Sequence, residues 1–393
     1  MKQYDKTFFV KKYMTTKQFI LLSFGVLCLT INLKASPGKK LPRKYKKIQK
    51  FIDQATRTKL AGVCIYIQSP KHGEWTTTSG YANLEHKELL QADQFFSLAS
   101  IGKMYNAVAV LKLAEEGKIA LNGKISNYLP AEIIDNLPNA KDVTVRHLLG
   151  HTSGWINYDT DTVLNRLYLS GQLKLDTLSR INTLRRYVYG KKALCSPGAE
   201  YHYSSTNYLL LAMIVDSVVP EGHTSYLNNL LVKYGFTNTY YRQIPPQKNV
   251  SYYGDLNQDE TLEDVTFQTI ETTNWFTGDD GVYATIGDAA HFLQDLMKGK
   301  ILNQQSLKAM QTWNNEKKPD YGLGLMADKS FPYHFLLGHS GRGIGSTTDL
   351  YYFPKQDMTI AIFCNTGLRT AASGFKKAYM KMRARIVKKL FLF

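Results

Sequence analysis

The sequence predicts a mixed α/β fold of the α+β type: an antiparallel sheet flanked by helices, with a mainly helical subdomain inserted at about residues 120–275. Three observations predict it. Strand-like runs open the chain, strand-like runs close it, and the stretch between carries helical periodicity interrupted by Pro and Gly turns. With 393 residues and 44% apolar side chains, the chain can bury a sizeable core.

The elements follow in order. Residues 42–61 read as a basic amphipathic helix with Ile48, Phe51 and Ile52 on its apolar side. GVCIYIQS and GEWTTTSGYAN read as two strands joined by the turn PKHGE. Residues 101–117 read as a helix closed by Gly117, and TIGDAAHFLQDLMKGK as another. YGLGLMA, YHFLLGHS, IGSTTDLYYFP and MTIAIFCNTG read as consecutive strands. In the tail, Phe375, Tyr379, Met382, Ile386 and Leu390 form one apolar stripe opposite lysines and arginines.

The net charge of +17 belongs to the ends: +12 within residues 1–50 and +7 within 376–393, against −2 for everything between. Nucleic-acid binders carry their charge across the folded body, so this distribution argues against that class. It suits contact of the termini with an anionic membrane or cell wall. Lys11, Lys12 and Lys17 precede an apolar run at residues 19–33, and LKAS offers cleavage after Ala35. The run falls short of the ~20 residues that span a bilayer. The first expectation is therefore an export signal over residues 1–35, and the second an uncleaved anchor. Either leaves residues 36–393 as the folded domain of an exported protein, periplasmic or extracellular. Three cysteines remain after cleavage, with no close spacing, so neither a disulfide framework nor a zinc site is expected. Cys64 and Cys364 lie in strand-like runs and are expected as buried thiols.

Ser-x-x-Lys occurs at Ser36, Ser100 and Ser373. Only Ser100 has both a helix starting beneath it and an apolar setting. Residues i and i+3 share a helix face, so Ser100 and Lys103 are neighbours. Burial and the helix dipole lower a lysine's pKa, leaving a neutral Lys103 to take the Ser100 proton. The helix start offers free N–H groups to a developing oxyanion. Taken alone, the pair is also what a helix-entry serine and a snorkelling lysine give. In YHYSSTNY, at the mouth of an apolar helix, Tyr203 is placed to relay a proton. In LLGHSGRGIGS no helix follows the glycines, which excludes a phosphate loop. A strand edge beside a cleft fits, with Gly341 admitting a substrate.

In this order the three elements resemble the penicillin-recognising serine hydrolases: class C β-lactamases, DD-peptidases and related esterases. VTVRHLLGHTSGW, DDGVYATIGDAAHFLQDL and YGLGLM resemble further stretches of that family, and the likeness runs over roughly residues 45–390. It implies a β-lactamase/transpeptidase-like fold, Ser100 as acylated nucleophile, Lys103 as its base and Tyr203 as proton shuttle. It places Ser205, His339, Ser340, Gly341 and Arg342 at the substrate, with the N–H groups of Ser100 and Arg342 as oxyanion hole. No metal or cofactor is implied. Two departures stand out: Ser205 replaces the asparagine of Tyr-x-Asn, and His339 replaces the lysine of Lys-Thr-Gly. The expectation is an exported serine hydrolase acting through an acyl-enzyme on a D-amino-acid peptide, wall fragment or small ester. Efficient β-lactam hydrolysis is disfavoured. A penicillin-binding or sensor protein that acylates without release is the alternative, and a wall-associated structural protein a further one.

Overall fold

Sixteen residues, Arg43–Thr58, form α1 because Tyr45, Ile48, Ile52 and Ala55 recur at helical spacing and are buried together. The computed structural model describes residues 43–71, 73–170, 172, 179–242, 248–275, 278–314, 320–328 and 335–391. The expected export signal, with its apolar run, lies outside them, as does Ser36.

After α1 come the paired strands β1 (Gly62–Ser69) and β2 (Gly73–Asn83), then the short β3 (Glu88–Leu89) and β4 (Phe96–Ser97). A single 3₁₀ turn, Ala99–Ile101, leads directly into α2 (Gly102–Glu115). Residues 120–275 then supply α3 (Ala131–Asn136), α4 (Val145–Leu149), α5 (Thr162–Leu169), α6 (Arg180–Tyr187), α7 (Ser205–Val218), α8 (Gly222–Lys233) and α9 (Thr266–Trp275). Between α8 and α9 run the short strands β5 (Thr239–Tyr241), β6 (Tyr253–Gly254) and β7 (Glu263–Asp264). The chain ends with β8 (Val282–Ala284), α10 (Ile286–Met297), α11 (Gln304–Met310), β9 (Met326–Asp328), β10 (Leu336–Arg342), β11 (Thr347–Phe353), β12 (Met358–Cys364) and α12 (Ser373–Phe391).

The main sheet is antiparallel in the order β3-β2-β1-β12-β11-β10-β9, and β4, β8 and β5 form a smaller one. The last long strand thus closes on the first, with Ile65 opposite Ile362. Both faces of the sheet are covered, so alternate residues feed two cores. Met358, Ile360, Ile362 and Cys364 pack with α1 and α12, while Ala361 and Phe363 pack with α2, α7 and α10. Cys64 and Cys364 are buried and free, as their settings predict. YGLGLMA departs from expectation: only its end enters β9. Gly324 takes φ +76°, and its Cα lies against Ala107 of α2 so closely that a side chain there would collide. The segment is therefore a close-packed turn over the catalytic helix, not a strand.

Candidate active site

The 3₁₀ turn carrying Ser100 is held from three directions. Leu98 donates its N–H to Val282 O of β8 (2.9 Å), and Leu98 O accepts from Thr348 Oγ1 of β11 (2.8 Å). From β10, Gly341 lies against Leu98 O, with no room for a side chain. Gly341 was expected to admit substrate; what approaches it is the nucleophile's own turn. Ala99 has φ +48°, a left-handed conformation costly for a residue with a Cβ, retained just before Ser100.

Lys103 is fully buried, and its Nζ lies 3.2 Å from Ser100 Oγ and 3.1 Å from Asp279 O. The Tyr203 ring centroid is 5.1 Å from the ammonium. The Asp279 carboxylate stands at 3.8 Å, outside hydrogen-bond range. Burial pulls the Lys103 pKa down, but Tyr203, Asp279 and Asp159 outweigh it and leave it above the ordinary value. The neutral lysine expected from burial alone is therefore corrected. Tyr203, and behind it Asp279, reverse the balance, and both stand far away in sequence.

Ser205, the first residue of α7, gives its N–H to Asn157 Oδ1 (3.0 Å), and its side chain helps to hold the Asp279 pKa down. Tyr158 donates to the same carboxylate, 3.0 Å from either oxygen. Burial raises the Asp279 pKa more than Lys103 lowers it. Asn207 is buried, accepting from Ser153 Oγ (2.6 Å) through Oδ1 and bonding His151 Nδ1, so it does not replace the missing amide. His151 also accepts the Ser204 N–H (3.1 Å) and lies 4.3 Å ring to ring from Tyr203, backing that tyrosine from behind.

Along β10 the strand period divides the remaining candidates. His339 and Gly341 face the site. The side chains of Ser340 and Arg342 face α12, which leaves the backbone N–H of Arg342 as what that residue can offer a substrate. Ser340 Oγ lies 2.6 Å from Asp349 Oδ1 and from Tyr351 Oη. Arg342 binds Asp349 (2.8 Å), Gly341 O and Thr348 O. His339 is fully buried, with Nδ1 donating to Ser340 O (2.8 Å) and Nε2 accepting from Tyr321 Oη (3.2 Å). Burial, Lys103 and Arg342 press its pKa down to about 3, so it is neutral.

A cavity of about 50 Å³ opens beside Ser100, bordered by Asp159, Tyr168, Asp279, Asp280 and Arg369. Asp159 is paired with Arg369 (2.6 Å). Asp280 accepts the Gly281 N–H (2.8 Å) and has no ion-pair partner among the described residues. Burial and adjacent Asp279 push Asp280 up to about 7. Sequence reading missed Asp279, Asp280, Tyr158, Tyr321 and His151. The available signal was the acid pair itself, set between Gly278 and Gly281, both of which adopt positive φ.

The family profile described as Beta-lactamase matches residues 48–380. Protein flp of Staphylococcus aureus is 26% identical over 294 residues, covering 73% of this chain and 56% of its own length, so the chain spans about half of that relative. Among solved structures, a D-stereospecific amidohydrolase from Streptomyces sp. superposes with a TM-score of 0.75 at 22% identity, covering 88% of this chain and 98% of that one. The D-amino acid amidase of Ochrobactrum anthropi SV3 with D-phenylalanine gives 0.75 at 20% identity, covering 89% and 99%.

Proposed function

The chain belongs to the beta-lactamase family of serine hydrolases, and on that premise we propose that it hydrolyses an amide or ester of a D-amino acid or small peptide through an acyl-enzyme at Ser100. One observation carries the reading: Ser100 Oγ lies 3.2 Å from a fully buried ammonium that the Asp279 carbonyl holds in place at 3.1 Å. That ammonium donates to Oγ, so it is not the base that removes the serine proton. Tyr203, on the same ammonium, is the proton acceptor, and the Lys103 charge stabilises the negative charge that develops between the two oxygens. As Ser100 Oγ bonds to the carbonyl carbon, its proton passes to Tyr203 Oη while the Tyr203 hydroxyl proton passes to the departing amine or alkoxide, so the tyrosine ends the step as it began it. The tetrahedral oxyanion is received by the N–H groups of Ser100 and Arg342. Water enters by the reverse route and releases the acid.

The substrate follows from the charges. A penicillin or a peptide carboxylate calls for a cation at the β10 edge. His339 is neutral and Arg342 is committed to Asp349. The cavity wall instead presents Asp280, which suits a substrate bearing an ammonium group. The D-stereospecific amidohydrolase and D-amino acid amidase among the solved neighbours support that class. The basic, then apolar, N-terminal residues support export.

A fluorescent phosphonate should label wild type and spare Ser100→Ala. D-amino acid amides and p-nitrophenyl esters should turn over, and nitrocefin should lag far behind. Equal labelling of both proteins overturns the nucleophile. A persistent acyl adduct without turnover converts the enzyme into a penicillin-binding sensor.

A further inference from the structure

The net positive charge at the two ends of the sequence becomes one surface in the fold. α1 carries six Lys/Arg and a single acid, α12 seven and none. The two helices pack on each other across the sheet face that looks away from Ser100 and His339. They run antiparallel. Lys59, just after α1, lies over the Phe375 ring near the start of α12, and Lys44, at the start of α1, feels the charge of Lys389 near the end of α12. The single acid does not offset the field, because Asp53 accepts from Gln49 (2.8 Å) and Ser79 (2.9 Å) along the sheet side. Arg383 is buried against Asp328 and Asp349 and contributes nothing outward. What faces solvent includes Lys46, Lys47 and Lys50 from α1 and Lys377, Lys381 and Lys388 from α12. Met380 stands half-exposed among the α12 lysines.

We infer that the α1/α12 layer is a docking surface for an anionic lipid bilayer, holding the catalytic face of the sheet turned away from the membrane. Like charges packed this closely repel one another unless a counter-surface is present, and the Lys44 ammonium shows that repulsion: burial, Lys71 and Lys389 all lower its pKa. The occupant is a bilayer because the layer joins dense positive charge to an exposed methionine, Met380, a pairing that suits an anionic lipid surface. Lysines near an anionic surface gain from its potential, and an exposed methionine among them can enter the headgroup boundary. A soluble polyanion would use the charge and leave the exposed Met380 without a role.

The test is flotation of the full chain with vesicles of 30% phosphatidylglycerol in phosphatidylcholine, and with phosphatidylcholine alone. The apolar N-terminal run contributes to both, so the difference between them is the readout. Wild type should prefer the anionic vesicles by well over ten-fold at low salt and lose that preference in 0.5 M salt. The triple variant Lys47→Glu, Lys381→Glu, Lys388→Glu should lose about a hundred-fold of it and keep its hydrolysis of a soluble ester unchanged. Equal partition of wild type into both vesicle types overturns the inference. So does an unchanged preference in the variant, or tight binding to heparin with no preference for anionic vesicles.

Discussion

Asp279 and Asp349 are both buried beside cations, one on each side of the sheet near β10, and they are used in opposite ways. Asp349 is saturated. Its Oδ1 receives Ser340 and Arg342 at 2.6 and 2.8 Å, and its Oδ2 receives Tyr379 and Arg383, both at 2.9 Å. Those contacts overcome burial and hold its carboxyl below the usual range. Asp279 is left short: Tyr158 reaches it, but Lys103 stops at 3.8 Å and aims its hydrogens elsewhere, and burial raises its pKa. The saturated cluster pins β10, β11 and α12 together. The unsaturated one keeps a cation's bonding capacity pointed at a serine. A cation used for catalysis must remain incompletely neutralised, and this one is.

The largest effect should come from breaking the unsaturated side. Lys103→Met should cut turnover roughly a hundred- to ten-thousand-fold, with the thermal midpoint little changed, as read by ester hydrolysis and calorimetry. Turnover within a few-fold of wild type would make the two clusters equivalent and the ammonium structural.

Next is the saturated side. Asp349→Asn leaves Arg342 and Arg383 facing a neutral amide in a buried setting, and should cost about 3–5 kcal/mol of stability. Protein kept folded in the cold should retain its rate of phosphonate labelling. A variant that keeps its stability but loses labelling would show that the back cluster serves the site directly. The pH dependence has a definite sign. A carboxyl held below its unfolded value of about 3.9 stabilises the fold above that pH, and the contribution is lost as the pH falls through the folded value. Acid unfolding should therefore begin at higher pH in Asp349→Asn.

Much of this architecture was legible in the sequence, and the missing part has one cause. β1, β2, β10, β11, β12 and α12 could be read because period 2 and period 3.6 are local properties. Ser100 and Lys103 could be read for the same reason, being one helical turn apart. The charge state of Lys103 could not, because Asp279 reaches it across 176 residues. The orientation of Arg342 was in fact available: it is odd-numbered from His339 by the strand period, so the residue facing α12 could have been named before any coordinate.

A smaller effect separates Asp280 from its neighbour. With its carboxyl pushed up to about 7, it gains charge between roughly pH 6 and 8 while Asp279 stays with Tyr158. For an amide carrying an ammonium group, kcat/KM should rise severalfold across that window, and Asp280→Asn should flatten the rise. An uncharged ester should show no such difference between the two proteins. If the ester's profile is altered as strongly as the amide's, Asp280 acts on the catalytic groups and not on the substrate's charge.

Tyr321→Phe should have the smallest effect and tests how the neutral side of the site is held. The Tyr321 hydroxyl fills the lone pair of His339 Nε2, and the Nδ1–H is taken by Ser340 O, so the imidazole has one tautomer and one orientation. Losing one such neutral hydrogen bond costs about 1 kcal/mol, or roughly a five-fold fall in kcat/KM. The pH profile should keep its shape, because His339 at about 3 carries no charge at any working pH. A new limb near pH 6.5 in the variant would mean that His339 has become accessible to protons. The tyrosine would then be keeping the ring uncharged as well as oriented, which gives the neutral residue at the Lys-Thr-Gly position a protective shell that the saturated Asp349 cluster has no need of.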